Sequence, residues 1–201
     1  MTVTMMSSVR SAAQPQVAGT FEGMLLSLIA VAVGLTIGAL AGGSWRHAAR
    51  APVKNLALLP AGAACECVAA WWGSGWAGFG LVVAGFAFLL GFAASNLAIT
   101  GMVLVAAGLL SNLVVIVVNG GMPVRGAPAT ATYGPRHHGL RPGDHLTGLA
   151  DVVHVGFLGQ TISAGDIVLA VGVATVIAAL LQPARRGEAT GSPARTRTWT
   201  S

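Results

Sequence analysis

Glu66 is the residue of this chain whose type and setting most directly suggest chemistry. It lies deep within an apolar run, Leu56 to Trp72, where an ionisable group costs at least ~2.5 to 3.5 kcal/mol and must face other helices rather than lipid. Three uses are open to it: a protonated carboxyl hydrogen-bonded to an amide or hydroxyl and tying two helices together, a proton or cation relay, or a position beside a water-filled vestibule. The partners expected inside the apolar runs are Asn96, Ser111 and Asn112. Cys65 and Cys67 flank Glu66 but point about 200° apart on a helix, so they share no metal and read as buried structural thiols.

A second group of reactive side chains lies between Asn119 and Asp166, which holds four of the five histidines. His137, His138, Asp144, His145, Asp151 and His154 have ligand chemistry suited to zinc or another first-row ion. No HExxH helix and no paired CxxC supports such a site, so His137, His138, His145 and His154 are metal candidates by residue type alone and no cofactor is assigned. Asp151 and His154, spaced by three, would share a helix face and bond to each other. Thr161 and Ser163 near His154 and Asp166 could supply a hydroxyl nucleophile, but no GxSxG elbow is present.

Two local signals frame this segment. Asn119-Gly120-Gly121-Met122-Pro123 ends a helix sharply: asparagine caps, glycine accepts positive φ, and proline blocks continuation. Ser163-Ala164-Gly165-Asp166 starts the next helix, with Ser163 as N-cap and the Asp166 carboxylate at the positive end of the dipole. Each has a sufficient structural explanation. Each also contributes polar groups that could bind a ligand or partner, giving Asn119, Gly120, Gly121, Met122, Pro123, His138, Asp151 and Asp166 as binding candidates and Glu66 with Asn112 as the polar pair inside the spans.

The elements that must position these residues follow from composition. Of 201 residues 54% are hydrophobic and 8% charged, and the mean hydropathy is +0.74; soluble domains carry about 25% charged residues. An ordinary water-soluble domain is excluded, and the fold class expected is all-α and polytopic. Apolar runs at Met24–Ala41, Leu56–Trp72, Gly78–Ser95, Met102–Val118 and Ile167–Leu181, the last extended back to Ala164, give about five transmembrane helices. Residues 24–182 form the helical domain. Residues 119–165 form an extracytoplasmic cap ordered by an amphipathic helix through Leu146, Leu149, Val152, Val153 and Phe157. Residues 1–23 and 183–201 read as disordered, the second as a basic tail that meets anionic headgroups.

The formal charge of +5 speaks for membrane orientation rather than nucleic acid. Arg46, Arg50, Lys54, Arg185, Arg186, Arg195 and Arg197 fall on one side of the five spans, and Arg10, Arg125, Arg136 and Arg141 on the other. The basic-rich side is cytoplasmic, which puts the N-terminus outside and the C-terminus inside. A single lysine beside ten arginines, with abundant Ala, Gly and Val, is the usage of a GC-rich bacterial genome. Ala39-Leu40-Ala41 also fits a signal-peptide cleavage site, yet the run before it exceeds a signal core and carries Gly34, Gly38 and Gly42 at the spacing of a helix-packing face.

The stretch SNLVVIVVNGGMPV from Ser111 to Val124, the His-containing loop, Leu149-Ala150-Asp151-Val152-Val153, and Ser163 to Gly172 together resemble the bacterial membrane-protein family called domain of unknown function 5317. The resemblance implies a small polytopic protein whose last two helices bracket an extracytoplasmic loop. It extends from Met24 to about Leu181, which makes Met24 an alternative start. Two departures stand out: Ala150 replaces an expected glycine, and no residue intervenes between Gly121 and Met122.

The reading these features support first is a non-enzymatic plasma-membrane protein, binding or assembling through its cap with a lipid headgroup, a protein partner or a second copy. A small transporter or ion-handling protein with Glu66, Asn112, Asp151 and Asp166 along one polar path is the alternative. A membrane-embedded metal-dependent hydrolase is the third.

Overall fold

The computed structural model describes residues 15–72, 75–128, 132–133, 136–155 and 160–183. Among them the helices are α1 (Pro15–Leu40), α2 (Trp45–Ala48), α3 (Leu58–Trp72), α4 (Gly75–Ser95), α5 (Met102–Asn119) and α6 (Ala164–Leu181). Between α5 and α6 lie five short strands, β1 (Met122–Val124), β2 (Thr132–Tyr133), β3 (His137–Gly139), β4 (Val153–Val155) and β5 (Gln160–Ile162). The protein is thus mostly helical with a small β cap, not purely α. Among the described residues three helices, α4, α5 and α6, are long and apolar enough to cross a membrane; Leu25–Leu40 and Leu58–Trp71 are shorter apolar helices.

The long helices pack as a row in the order α3, α4, α5, α6, α1. Glycines set its closest approaches. A Cβ on Gly108 would lie 2.6 Å from the Leu169 nitrogen, and one on Gly172 2.6 Å from the Val105 nitrogen, so α5 and α6 touch backbone to backbone. Gly34 and Gly38 hold α1 equally close to Ala174 and Leu181 of α6, whereas Gly42 has open space around it and turns the chain at φ 76°. Two of the three glycines expected on a packing face serve there; the third is a turn. The core runs through Val82, Phe86, Phe92 and Ala93 of α4 and Met102, Val105, Leu109, Val115 and Ile116 of α5, and continues into the cap at Met122 and Ala150.

The cap forms a three-stranded sheet in the order β1-β3-β2, with β1 and β3 parallel and β2 and β3 antiparallel, and a β4-β5 hairpin. Asp151 extends the sheet on the free side of β1: its amide donates to the Pro123 carbonyl at 3.1 Å, and its carbonyl accepts from the Arg125 amide at 2.9 Å. No amphipathic helix runs through Leu146–Val155. Leu146 takes φ 54°, Leu149 closes a turn onto it, and the β-branched Val153 and Val155 extend into β4, where strand pairing outweighs the three-and-four recurrence of apolar residues. Phe157 lies outside the described residues. So do residues 1–14 and 184–201, while α1 begins at Pro15, within the segment expected to be disordered before Met24.

Candidate functional site

The cap is pinned where α5 ends. Gly120 leaves the helix at φ 68°, as the Asn-Gly-Gly signal predicts, and the Gly121 amide returns to the Ile116 carbonyl at 2.8 Å. Asn119 holds the cap: its Oδ1 accepts from the His145 amide at 2.7 Å, while its Nδ2 donates to the His145 carbonyl at 3.0 Å and the Val115 carbonyl at 2.9 Å. Gly121, Met122 and Pro123 are buried, and Gly120 is exposed.

The start of α6 joins α5 through polar groups. Ser163 Oγ accepts from the Asp166 amide at 2.9 Å and the Ser163 amide donates to Asp166 Oδ2 at 3.0 Å, the expected cap completed as a reciprocal box. Asn112 Nδ2 donates to Asp166 Oδ1 at 2.7 Å, and Ser163 Oγ donates to Asn112 Oδ1 at 3.0 Å. Gly165 makes room, since a Cβ there would overlap Asn112 Oδ1. Every side-chain acceptor in this knot has a donor.

Between the two pins lies the ionisable cluster. Arg136, at the entrance to β3, reaches Glu66 of α3 with an Nη1 to Oε2 distance of 2.9 Å. Its guanidinium also stands 5.7 Å from the Phe86 ring centroid. Gly85 gives Glu66 its place, because a Cβ there would meet Oε1 at 2.8 Å. The partner of Glu66 is thus a cation from the cap, not one of the polar residues expected inside the spans. Asn96 sits at the far end, where it binds both backbone groups of Lys54. A carboxylate buried in an apolar helix needs a counter-charge more than a dipole, and that requirement was the signal available for Arg136.

His137 and Asp151 approach within 3.4 Å, Nε2 to Oδ2. Burial, reinforced by the Asp166 carboxylate and partly offset by Arg136, pushes the Asp151 carboxyl up to about 7. Enclosure of the His137 ring, of which 31% of the side chain stays accessible, together with Arg136 and His138, lowers its pKa to about 3. The distance alone would suit an ion pair, but both shifts favour uncharged partners. Near neutral pH the imidazole is therefore uncharged while the Asp151 carboxyl is poised between its two protonation states. His138 is buried, with Nδ1 3.0 Å from the Gly139 carbonyl and 3.8 Å from Asp144 Oδ2.

Glu66 Oε1, Arg136 Nε and His138 Nε2 are buried without hydrogen-bond partners. The expected Asp151–His154 pair does not form, because β4 exposes His154 while Asp151 turns to His137. His145 is also exposed, and among the described residues no three His, Cys, Asp or Glu side chains converge as a metal site. The four histidines thus split between the buried His138 with the half-buried His137 and two surface positions. Cys65 is half-buried and Cys67 exposed, so the two are not the buried thiols expected.

Neither a search of curated proteins nor one of solved structures finds a match. A family description, Family of unknown function (DUF5317), matches residues 50–178, which takes in α3 to α5, the whole cap and all but the last three residues of α6, and leaves α1 outside. The match covers more than half of the chain and contains every residue of the cluster, so this protein belongs to the DUF5317 family.

Proposed function

We propose that this chain is a five-span bacterial plasma-membrane protein that handles protons at the cluster beneath its cap. The observation that carries this reading is the approach of Arg136, a cap residue, to Glu66 within an apolar helix, beside a carboxyl at Asp151 whose pKa is pushed up to about 7. Ionisable groups at that depth are expensive and mark proton or ion pathways by default. Arg136 acts on Glu66 and Asp151, Asp166 acts on Asp151, and Asn112 binds Asp166. These links support a reading in which Glu66, Asn112, Asp151 and Asp166 serve one polar path. A carboxyl poised near neutrality can take and release a proton with little driving force.

Five spans agree with the alternation of the long helices, since the ends of α1 and α6 meet where the Ser44 amide donates to the Leu181 carbonyl at 2.8 Å. With the basic-rich end cytoplasmic, the cap lies outside. The test is proton uptake into liposomes containing a pH-sensitive dye. Uptake above that of empty liposomes, abolished by Glu66→Gln in protein that stays folded and monodisperse, is expected; uptake equal to that of empty liposomes overturns the reading.

A second reading, recognition of a lipid headgroup, protein partner or second copy by the cap, draws on Leu146, Leu149 and Val153, which are exposed on a cap otherwise pinned to the helices. Most of the residues singled out for recognition point the other way: Gly121, Met122, Pro123, His138 and Asp151 are buried.

A further inference from the structure

At the end opposite the cap the chain leaves α1 through Gly42 and Gly43 and turns into α2, whose first residue, Trp45, is 69% exposed. This turn is fixed to the end of α6: the Leu181 carbonyl accepts from the Ser44 amide and lies 3.0 Å from His47 Nδ1. Trp45 therefore stands over the seam between α1 and α6 without closing it. Beneath it is an apolar groove of about 260 Å³ bounded by Val31, Leu35, Trp45, Ala48, Ile177 and Leu180. A neighbouring hollow of about 170 Å³ shares Leu35 and Trp45 and reaches Ala39 and Ser44.

Arg46 and Arg50, both exposed, lie on and just beyond α2, four positions apart. Glu66, Asp144, Asp151 and Asp166 all belong to the cap end, and among the described residues no ion pair engages either arginine. A second copy seated two-fold symmetrically over α2 would bring Arg46 and Arg50 towards their own equivalents, and like charges at an interface oppose association. An apolar slot bounded by Trp45 and Ala48, with the exposed Arg46 and Arg50 on and just beyond the same short helix, suits an amphiphile that is apolar along its length and anionic at its head. Tryptophan is at home at that boundary.

Resting on the reading of the chain as membrane-spanning, but not on proton handling, we propose that the α1/α6 groove holds an acyl chain of an anionic phospholipid, its phosphate against Arg46 and Arg50 and its upper methylenes beneath Trp45. The experiment is native mass spectrometry of the full chain released from nanodiscs of phosphatidylglycerol or of phosphatidylcholine with the same acyl chains. An arginine near an anionic surface contributes about fivefold in binding, so the expected result is at least fivefold greater retention of phosphatidylglycerol. Arg46→Gln with Arg50→Gln should reduce retention to the phosphatidylcholine level. Ala48→Trp and, independently, Val31→Phe should fill the groove and lower retention of both lipids. The basic tail is common to all variants and sets a constant background. Equal retention of the two lipids by the unaltered chain overturns the proposal. So does a loss on charge removal with no loss in either filled variant, which would mean surface attraction alone, or release of the chain as lipid-free dimers.

Discussion

Two asparagines at helix ends make the same clamp at opposite poles of the molecule. Asn96, just past α4, donates to the Phe92 carbonyl four residues back and binds both the amide and the carbonyl of Lys54. Asn119, the last residue of α5, donates to the Val115 carbonyl and binds both backbone groups of His145. Each holds one loop residue against a helix end, so the two poles solve the problem of unpaired terminal carbonyls in one way. They differ in what the clamped loop carries. The far pole uses its polar groups on backbone or on other neutral side chains, as where Ser44 and His47 meet Leu181 and Asn55 donates to Ser95. The cap pole brings Arg136, His137 and His138 onto Glu66, Asp151 and Asp144, and the three partnerless buried polar side-chain atoms of the described residues all lie there. Fold maintenance accounts for the far pole and leaves an excess of ionisable groups at the cap.

The strongest way to break that contrast is to remove the cation from the cap. Arg136→Met strips Glu66 of its counter-charge in an apolar helix, and loss of one partner of a buried pair costs ~3–5 kcal/mol. Because the Arg136 side chain is 38% exposed, the expected loss is smaller, about 2 kcal/mol. Glu66→Gln frees an arginine that water can reach and should cost only about 1 kcal/mol. The double variant should then be more stable than Arg136→Met alone. Thermal unfolding of the four proteins in one detergent measures the cycle; additive losses would mean that the 2.9 Å contact carries no coupling.

Local chemistry was legible in the sequence and long-range pairing was not. The stop at Asn119-Gly120-Gly121 and the start at Ser163 to Asp166 read correctly because each signal acts within five residues. The apolar runs placed the long helices because a helix records its environment over many residues. Arg136 was counted only as a basic residue flanking a span; its contact with Glu66 joins positions 70 apart, a distance that no periodicity reports. The cap was misread as helical because strands of two or three residues are too short to show an alternation. The parallel pairing of β1 with β3 is also imposed by the docked loop rather than by a turn signal.

A smaller effect sharpens the comparison of the clamps themselves. Asn119→Ala should loosen the cap by about 1–2 kcal/mol through lost hydrogen bonds, while Asn96→Ala should loosen the Lys54 loop by a similar amount and leave the cap unchanged. Hydrogen exchange separates the two: the Leu140 amide, which donates to the Val124 carbonyl within the cap, should exchange faster in the first variant only. Faster exchange of that amide in both would mean that the poles communicate through the helices.

The smallest expected effect is in the unaltered protein, where two opposing titrations offset each other. Asp151 rises from 3.8 to about 7 in the folded state, so the fold holds a proton that the unfolded chain releases, and this contribution falls as pH rises between those values. His137 drops from 6.5 to about 3. The unfolded chain then binds the extra proton, and this contribution rises with pH over that window. Burial dominates both shifts, and neither is caused by the other member of the pair, so removing one side chain should expose the slope of the other. Asp151→Asn should melt at progressively higher temperature from pH 4 to 6.5, and His137→Asn at progressively lower temperature across the same range. The unaltered protein, with both groups present, should stay nearly flat. Parallel slopes in the two variants would show that Asp151 and His137 do not hold their proton as a neutral pair, and the Asp151 carboxyl would then be an ordinary buried carboxylate balanced by Arg136.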